Sequence, residues 1–171
     1  NKEYATKIAF VQNSVGAVPS PFEAWLLLRS VKTLSLRMER HSSNAIQIAN
    51  FLTSCKYVKK VYYPTLSSPG QKEILKKQMR LPGGIVSFEL DADGKTTRKF
   101  CSKTKLFTLA ESLGGVESLI DHVVSMTHAY LGSARQKEMG LGDNLIRLSV
   151  GIENVDDLIN DLEQAFKKTF K

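Results

Sequence analysis

The chain has 171 residues, of which 42% are hydrophobic and 24% are charged, a composition typical of a globular domain and unlike that of disordered chains. The two cysteines, Cys55 and Cys101, exclude a disulfide-rich secreted scaffold and favour a reducing compartment. Because no apolar run approaches the roughly 20 residues that cross a bilayer, we expect a soluble, cytoplasmic protein without a membrane partner.

Residues 1–55 are expected to be mostly helical. Residues 1–8 resemble the middle of a helix, and since the first residue is not methionine, we expect the chain to be part of a longer protein. A helix start is predicted at Ser20, which would cap the helix, with Pro21 in its first turn and Glu23 bonding back to the cap amide.

Residues 56–171 are expected to form an α+β domain. Segments rich in β-branched or alternating apolar residues are separated by short helical patterns, and an amphipathic helix follows Asn154. Because the connections are short and irregular, we predict an α/β sandwich: a small, mainly antiparallel four-stranded sheet, covered on one face by helices. The expected strands are 57–63, 85–90, 106–109 and 145–150.

The net charge of +7 is concentrated between Phe51 and Arg80, where seven lysine and arginine residues accompany one acidic residue. Because the segment also contains tyrosines, one interpretation is a stand-alone module that binds an anionic partner. No nucleic-acid recognition motif accompanies the charge, so we interpret the segment as solvated surface and expect no nucleic-acid partner.

Several kinds of chemical site are disfavoured by the motif inventory. The sequence lacks G-x-x-x-x-G-K, G-x-G-x-x-G, G-x-S-x-G and C-x-x-C patterns. His41, His122 and His128 are scattered, and neither cysteine lies at metal-ligand spacing from them. We therefore expect no metal site.

Arg147 is the most informative single residue, because it interrupts an otherwise apolar strand. An unpaired guanidinium there would carry a large desolvation cost, so we expect it to meet an anion. One alternative is a structural ion pair, with Asp143 as the candidate partner. The other is a substrate carboxylate held by two parallel hydrogen bonds, a geometry that lysine does not reproduce. Residues 109–115 end in a glycine pair and predict either a ligand-accessible strand end or a simple turn.

Five segments of the chain carry a family resemblance. They are GAVPSPFEAWLLLR from Gly16, KTLSLRMERH from Lys32, KLFTLAESLGGVESLI from Lys105, SMTHA from Ser125 and NLIRLSVGIENVDDLINDLEQA from Asn144. From about Asn13 to its end, the chain resembles the pyridoxal-phosphate enzymes of sulfur amino acid metabolism, a family that includes cystathionine γ-lyase, cystathionine γ-synthase, cystathionine β-lyase and methionine γ-lyase.

The resemblance implies the C-terminal domain of a fold-type I enzyme that uses pyridoxal 5'-phosphate (PLP), with residues 1–55 linking to a larger domain that holds the cofactor. The lysine that forms the Schiff base and the other cofactor-binding residues match no position here. We therefore assign no catalytic, cofactor-binding or metal residue to this chain and expect it to be inactive alone. The resemblance also implies a homotetrameric full-length enzyme.

The resemblance assigns five substrate-binding residues. Arg147 matches the arginine that binds the substrate α-carboxylate, and Ser112 matches a serine of the same subsite. Thr127 and Asn13 match residues near the pocket and its entrance. Glu111 matches a position that varies with substrate, where a carboxylate suits the distal ammonium of cystathionine.

The activity implied is that of a cystathionine γ-lyase, which converts cystathionine to cysteine, 2-oxobutanoate and ammonia in transsulfuration. A cystathionine γ-synthase, acting by γ-replacement on an activated homoserine, is the alternative, and the basic binding module is the alternative from another class.

Overall fold

A computed structural model describes residues 1–171 and divides them into two compact units, Asn1–Ser35 and Leu36–Lys171. The units divide earlier than the predicted boundary after residue 55, because the second half of one long helix packs into the core of the second unit. A boundary at residue 55 between a linking segment and a C-terminal domain stays a prediction. None of the helices combines the length and hydropathy that a membrane span requires.

The first unit consists of two helices whose ends are set by local signals. The first, α1, spans Lys2–Val15 and ends at Gly16, whose left-handed conformation (φ 69°) suits a residue without a β-carbon. The second, α2, spans Pro21–Val31 and begins with the predicted capping box between Ser20 and Glu23. No residue of either helix is buried.

The second unit is built on a five-stranded sheet in the order β1-β2-β5-β4-β3. The predicted number of four strands was wrong, because the short strand β4 was not recognised. All neighbouring strands are antiparallel except β3 and β4, which are parallel. The strands are β1 Val58–Tyr62, β2 Ile85–Leu90, β3 Thr108–Leu109, β4 Leu119–His122 and β5 Leu145–Ser149.

Five further helices and two short 3₁₀ turns complete the second unit, and three of the helices pack on one face of the sheet. Those three, α3, α5 and α7, meet alternate side chains of the central strands, such as Phe88 and Leu148, which are fully buried. Phe88 packs edge to face on Phe100 with ring centroids 6.2 Å apart. The helices are α3 Leu34–Thr53, α4 Pro69–Gln78, α5 Gly94–Cys101, α6 Gly132–Glu138 and α7 Val155–Thr169, and the 3₁₀ turns are Pro64–Leu66 and Ala129–Leu131.

The opposite face of the sheet carries a row of polar residues. Strand register places Ser87 of β2 and Asp121 of β4 directly beside Arg147 of β5, and Tyr62 of β1 beside Ser87. Since successive side chains of a strand point to opposite faces, this row is turned away from the buried core. The row positions the candidate site.

Candidate functional site

The candidate site is centred on Arg147, whose strand neighbours explain its placement. Ile146 and Leu148 are fully buried in the core, so the side chain between them points to the other face. The Arg147 side chain is 17% exposed, and it is therefore neither in bulk water nor fully enclosed. A guanidinium at this depth needs anionic or carbonyl partners to offset the lost hydration.

One amino group of Arg147 makes all of the protein contacts of the guanidinium. Its Nη2 lies 3.1 Å from Oδ2 of Asp121 and donates to the backbone oxygens of Glu111, at 3.0 Å, and Ser112, at 3.4 Å. The buried Nε has no hydrogen-bond partner. Nη2 is thus fixed by three oxygens, whereas Nη1 has no protein partner.

Asp121 is the ion-pair partner of Arg147, and the predicted partner, Asp143, was wrong. The carboxylate of Asp143 instead accepts a hydrogen bond from the backbone amide of Gly94 at 3.2 Å. Asp121 was missed because β4 was missed. Its signal was an acid directly after the apolar pair Leu119 and Ile120; with Ile120 in the core, β-strand alternation places Asp121 on the opposite face, the same face as Arg147.

Thr127 also belongs to this cluster, through Asp121. Its hydroxyl donates to Oδ2 of Asp121 at 2.9 Å, the same oxygen that meets Arg147, and lies 3.0 Å from Nδ1 of His128. The predicted site residue therefore contacts the carboxylate that holds the arginine. A direct contact of Thr127 with substrate stays a prediction.

Glu111 and Ser112 follow β3 and reach Arg147 through their backbone carbonyls, while both residues remain exposed. The segment is attached to β5 a second time, because the amide of Gly114 donates to the hydroxyl of Ser149 at 2.9 Å. Gly114 has φ 83°, a conformation that favours glycine and turns the chain here. The backbone of two exposed residues, Glu111 and Ser112, thus lies at the guanidinium just before the glycine break.

A guanidinium with one free amino group, set among carbonyls and beside an exposed serine, is suited to binding a carboxylate. The family model described as Cys/Met metabolism PLP-dependent enzyme matches residues 1–167. The chain belongs to this family. PLP is therefore the cofactor of the enzymes to which it is related.

Three curated relatives of this Cys/Met metabolism chain have different reactions in their names. It is 51% identical to the cystathionine beta-lyase of Coxiella burnetii over 96% of this chain and 43% of the relative. It is 50% identical to the cystathionine gamma-lyase of Dictyostelium discoideum, over 98% of this chain and 43% of the relative, and 50% identical to the cystathionine gamma-synthase of Mycobacterium bovis, over 96% and 42%. Two of these names denote lyases and one denotes a synthase.

Among solved structures, the crystal structure of cystathionine gamma-lyase from Lactobacillus plantarum, complexed with L-serine, is similar to the Cys/Met metabolism chain with a TM-score of 0.89. The two are 41% identical, over 99% of this chain and 44% of that chain. The chain thus spans less than half the length of the relatives that it matches.

The side chains around Arg147 in this Cys/Met metabolism chain do not fit PLP itself. Its contacts come from Asp121, Glu111 and Ser112, with Thr127 behind them, and none of these supplies an amine for a covalent link or a ring that stacks on a pyridine. The donor set fits the carboxylate of an amino acid instead. No group of three or more histidine, cysteine or acidic side chains is placed to hold a metal ion.

Asn13 and Cys101 belong to other segments of the Cys/Met metabolism chain. Asn13 is exposed on α1 in the first unit, and its predicted role at a site entrance stays a prediction. Cys101 is buried behind the sheet. Burial, and then the negative charge of Asp121, raise the pKa of its thiol to about 12, so the sulfur stays protonated and is a poor nucleophile at neutral pH.

Proposed function

We propose that this chain is the C-terminal, substrate-binding domain of a PLP-dependent cystathionine γ-lyase, in which Arg147 binds the α-carboxylate of the amino acid. The observation that supports this most strongly is that the two amino groups of the guanidinium differ in their partners. Nη2 is held by Asp121 and two backbone carbonyls, while Nη1 has no protein partner.

The depth of Arg147 suits this role. At 17% exposure the guanidinium is partly desolvated, which strengthens a charge-assisted hydrogen bond relative to one formed in water. The backbone oxygen of Ser112 accepts from Nη2 at 3.4 Å, and the hydroxyl of this exposed residue is a candidate second donor for the same carboxylate. Together they would orient an amino acid by its α-carboxylate.

The cofactor belongs to other residues of the full-length protein. PLP, when bound, supplies the electron sink for breaking bonds next to the amino acid's α-carbon. The contribution of this chain is binding and orientation through Arg147 and Ser112, and we expect the chain alone to be inactive. We further expect the full-length enzyme to assemble as a homotetramer.

Glu111 supports an enzyme that handles cystathionine, without separating the γ-lyase from the γ-synthase. Its exposed side chain sits one residue before Ser112, and an exposed carboxylate beside the carboxylate-binding subsite suits the distal ammonium of cystathionine. The relatives named beta-lyase, gamma-lyase and gamma-synthase are about equally similar, so the products must identify the reaction. A γ-lyase yields cysteine and 2-oxobutanoate from cystathionine, a β-lyase yields homocysteine and pyruvate, and a γ-synthase makes cystathionine from an activated homoserine and cysteine.

The decisive test is Arg147→Lys in the full-length enzyme. We expect KM for cystathionine to rise about 10- to 100-fold, the equivalent of one lost charge-assisted hydrogen bond. PLP should remain bound, as measured by its visible absorbance. The matched control is Arg135→Lys on α6, whose guanidinium pairs with Glu138 at the surface and should leave KM unchanged. A normal KM for Arg147→Lys would remove the assignment.

The basic binding module finds little support in the tyrosines of the basic segment. Lys60 Nζ lies 4.6 Å from the ring centroid of Tyr62, and Lys56 Nζ lies 5.0 Å from that of Tyr57. Tyr57 also stacks on Phe170 at 4.3 Å. Each of these two rings therefore has a lysine over it, and Tyr57 is also stacked within the chain, which leaves less ring surface for stacking with bases.

A further inference from the structure

Asp121 is a buried acid whose environment is organised around a single neighbouring cation. Its side chain is 1% exposed, and strand pairing places it directly opposite Arg147. A buried carboxylate normally requires a cation and further hydrogen bonds to offset its lost hydration. Here the cation is Arg147 and the additional donor is Thr127.

Both interactions converge on one oxygen of Asp121. Oδ2 lies 3.1 Å from Nη2 of Arg147 and accepts the Thr127 hydroxyl at 2.9 Å, whereas buried Oδ1 has no partner. An acid that served only to neutralise the arginine would gain more from pairing both oxygens with the guanidinium. The one-sided arrangement instead fixes one edge of the guanidinium.

We infer that Asp121, held by Thr127, is a positioning residue that fixes Nη2 of Arg147 and thereby presents Nη1 to the carboxylate of the bound amino acid. This inference rests on the proposed function, since it requires Arg147 to bind that carboxylate. Asp121 acts through Arg147 and does not itself touch the ligand.

The charge of Asp121 and its contact with Arg147 have opposite effects on carboxylate binding. The negative charge of Asp121 opposes the approach of a second carboxylate to the same guanidinium, so its benefit to carboxylate binding must come from the close contact of Oδ2 with Nη2, 3.1 Å away, which orients the guanidinium. Asparagine retains a carbonyl oxygen that accepts from Thr127 and can meet Nη2, whereas alanine retains neither contact. Asp121→Asn and Asp121→Ala should therefore behave differently.

The test measures binding of L-serine and L-serinamide to the full-length PLP holoenzyme by calorimetry. The amide lacks the carboxylate, so the Kd of L-serinamide divided by the Kd of L-serine reports carboxylate recognition independently of catalysis. L-serine is a suitable probe because the Lactobacillus plantarum relative is complexed with it. We expect Asp121→Ala to lower the ratio about 10-fold or more, since a misplaced guanidinium forms a poor carboxylate contact.

Two further variants grade the effect. Asp121→Asn should retain most of the discrimination, and Thr127→Val, which removes the hydroxyl that holds Asp121, should lower the ratio about 3-fold. The matched control is Asp161→Ala, which removes another buried carboxylate. Asp161 accepts the backbone amides of Lys105, Leu106 and Phe107 and does not contact Arg147, so its loss should reduce stability but leave the ratio unchanged.

Unchanged discrimination in Asp121→Ala would overturn the inference, as would an equal loss in Asp121→Asn and Asp121→Ala. If Asp121→Ala does not fold, an unchanged ratio in Thr127→Val has the same force. The proposed function fails in a different way: the wild-type enzyme would then bind L-serine and L-serinamide equally, or Arg147→Lys would leave their ratio intact.

Discussion

The two compact units of this chain achieve their secondary structure by different means. In the first unit no residue is buried, and large side chains such as Trp25 (53% exposed) and Leu28 (66%) face outward. In the second unit, side chains such as Phe88 and Leu162 are fully buried between sheet and helices. The difference shows that the second unit carries its own core, whereas the first depends on local caps.

Local caps stabilise a helix only weakly. The helix α2 has 11 residues, and isolated helices shorter than about 12–15 residues are marginal in water. Its capping box contributes about 1 kcal/mol. We therefore expect the second unit to unfold cooperatively and the first unit to open with little effect on it.

The largest expected difference between the units is in thiol labelling. In a Cys55→Ser background, the buried Cys101 should react with a thiol reagent only when the second unit opens, whereas a cysteine introduced as Ala5→Cys on exposed α1 should react at once. We expect the rates to differ by more than about 1,000-fold at pH 8, because opening of a stable core costs several kcal/mol.

The raised pKa of Cys101, about 12, makes direct reaction of the buried thiol slow as well, because the thiolate is the reactive form, so labelling must proceed through opening. Raising the pH from 7 to 8 should therefore accelerate labelling at position 5 strongly while Cys101 remains slow in the folded chain. Equal labelling rates at both positions would show that the second unit lacks a stable core.

The next effect in size is that of Phe88→Ala. Removing a ring that is fully buried between β2 and α5 should lower the free energy of unfolding by about 3–5 kcal/mol, through lost burial and the cavity left behind. Urea unfolding followed by far-ultraviolet circular dichroism measures the loss. A change below about 1 kcal/mol would mean that the sheet and helices are not packed as described.

The smallest effect is expected for Trp25→Ala on α2. Because this side chain is 53% exposed, its loss should change the same free energy of unfolding by no more than about 0.5 kcal/mol. Since Trp25 is the only tryptophan, the emission of the unaltered chain also reports on its surroundings. A large destabilisation, or strongly blue-shifted emission, would contradict the exposed placement of α2.

Sequence patterns predicted the elements whose signals are local. Strand β2 was expected at 85–90 and is found there, since its apolar alternation is unbroken. The cap Ser20 and the start of a helix after Asn154 were identified because helix starts depend on residues within one turn. Strand β4 was missed because two of its four residues, Asp121 and His122, are polar yet buried.

Those two polar residues are stabilised by partners that are distant in sequence or lie in the turn that follows the strand. Asp121 pairs with Arg147, and His122 bonds to the hydroxyl of Ser125 and the backbone oxygen of Asp143. No local pattern encodes such contacts. The desolvation cost of Arg147 predicted an anionic partner. Identifying that partner as Asp121 required the register of β4 on β5, which no local pattern gives.

The candidate site was predictable where the family resemblance supplied residues. Glu111 and Ser112 lie at Arg147, and Thr127 joins them through a carboxylate that neither the resemblance nor the residue pattern singled out.

The segment 111–114 is fastened to a single strand at both of its ends. Arg147 holds the carbonyls of Glu111 and Ser112, and Ser149, two residues along β5, accepts the amide of Gly114. A subsite preorganised in this way has few torsions left to freeze when a ligand arrives, so association costs little ordering entropy. Under the proposed function, differences between amino acids should therefore be recognised by exposed side chains such as Glu111 and by residues outside the segment, and not by movement of its backbone.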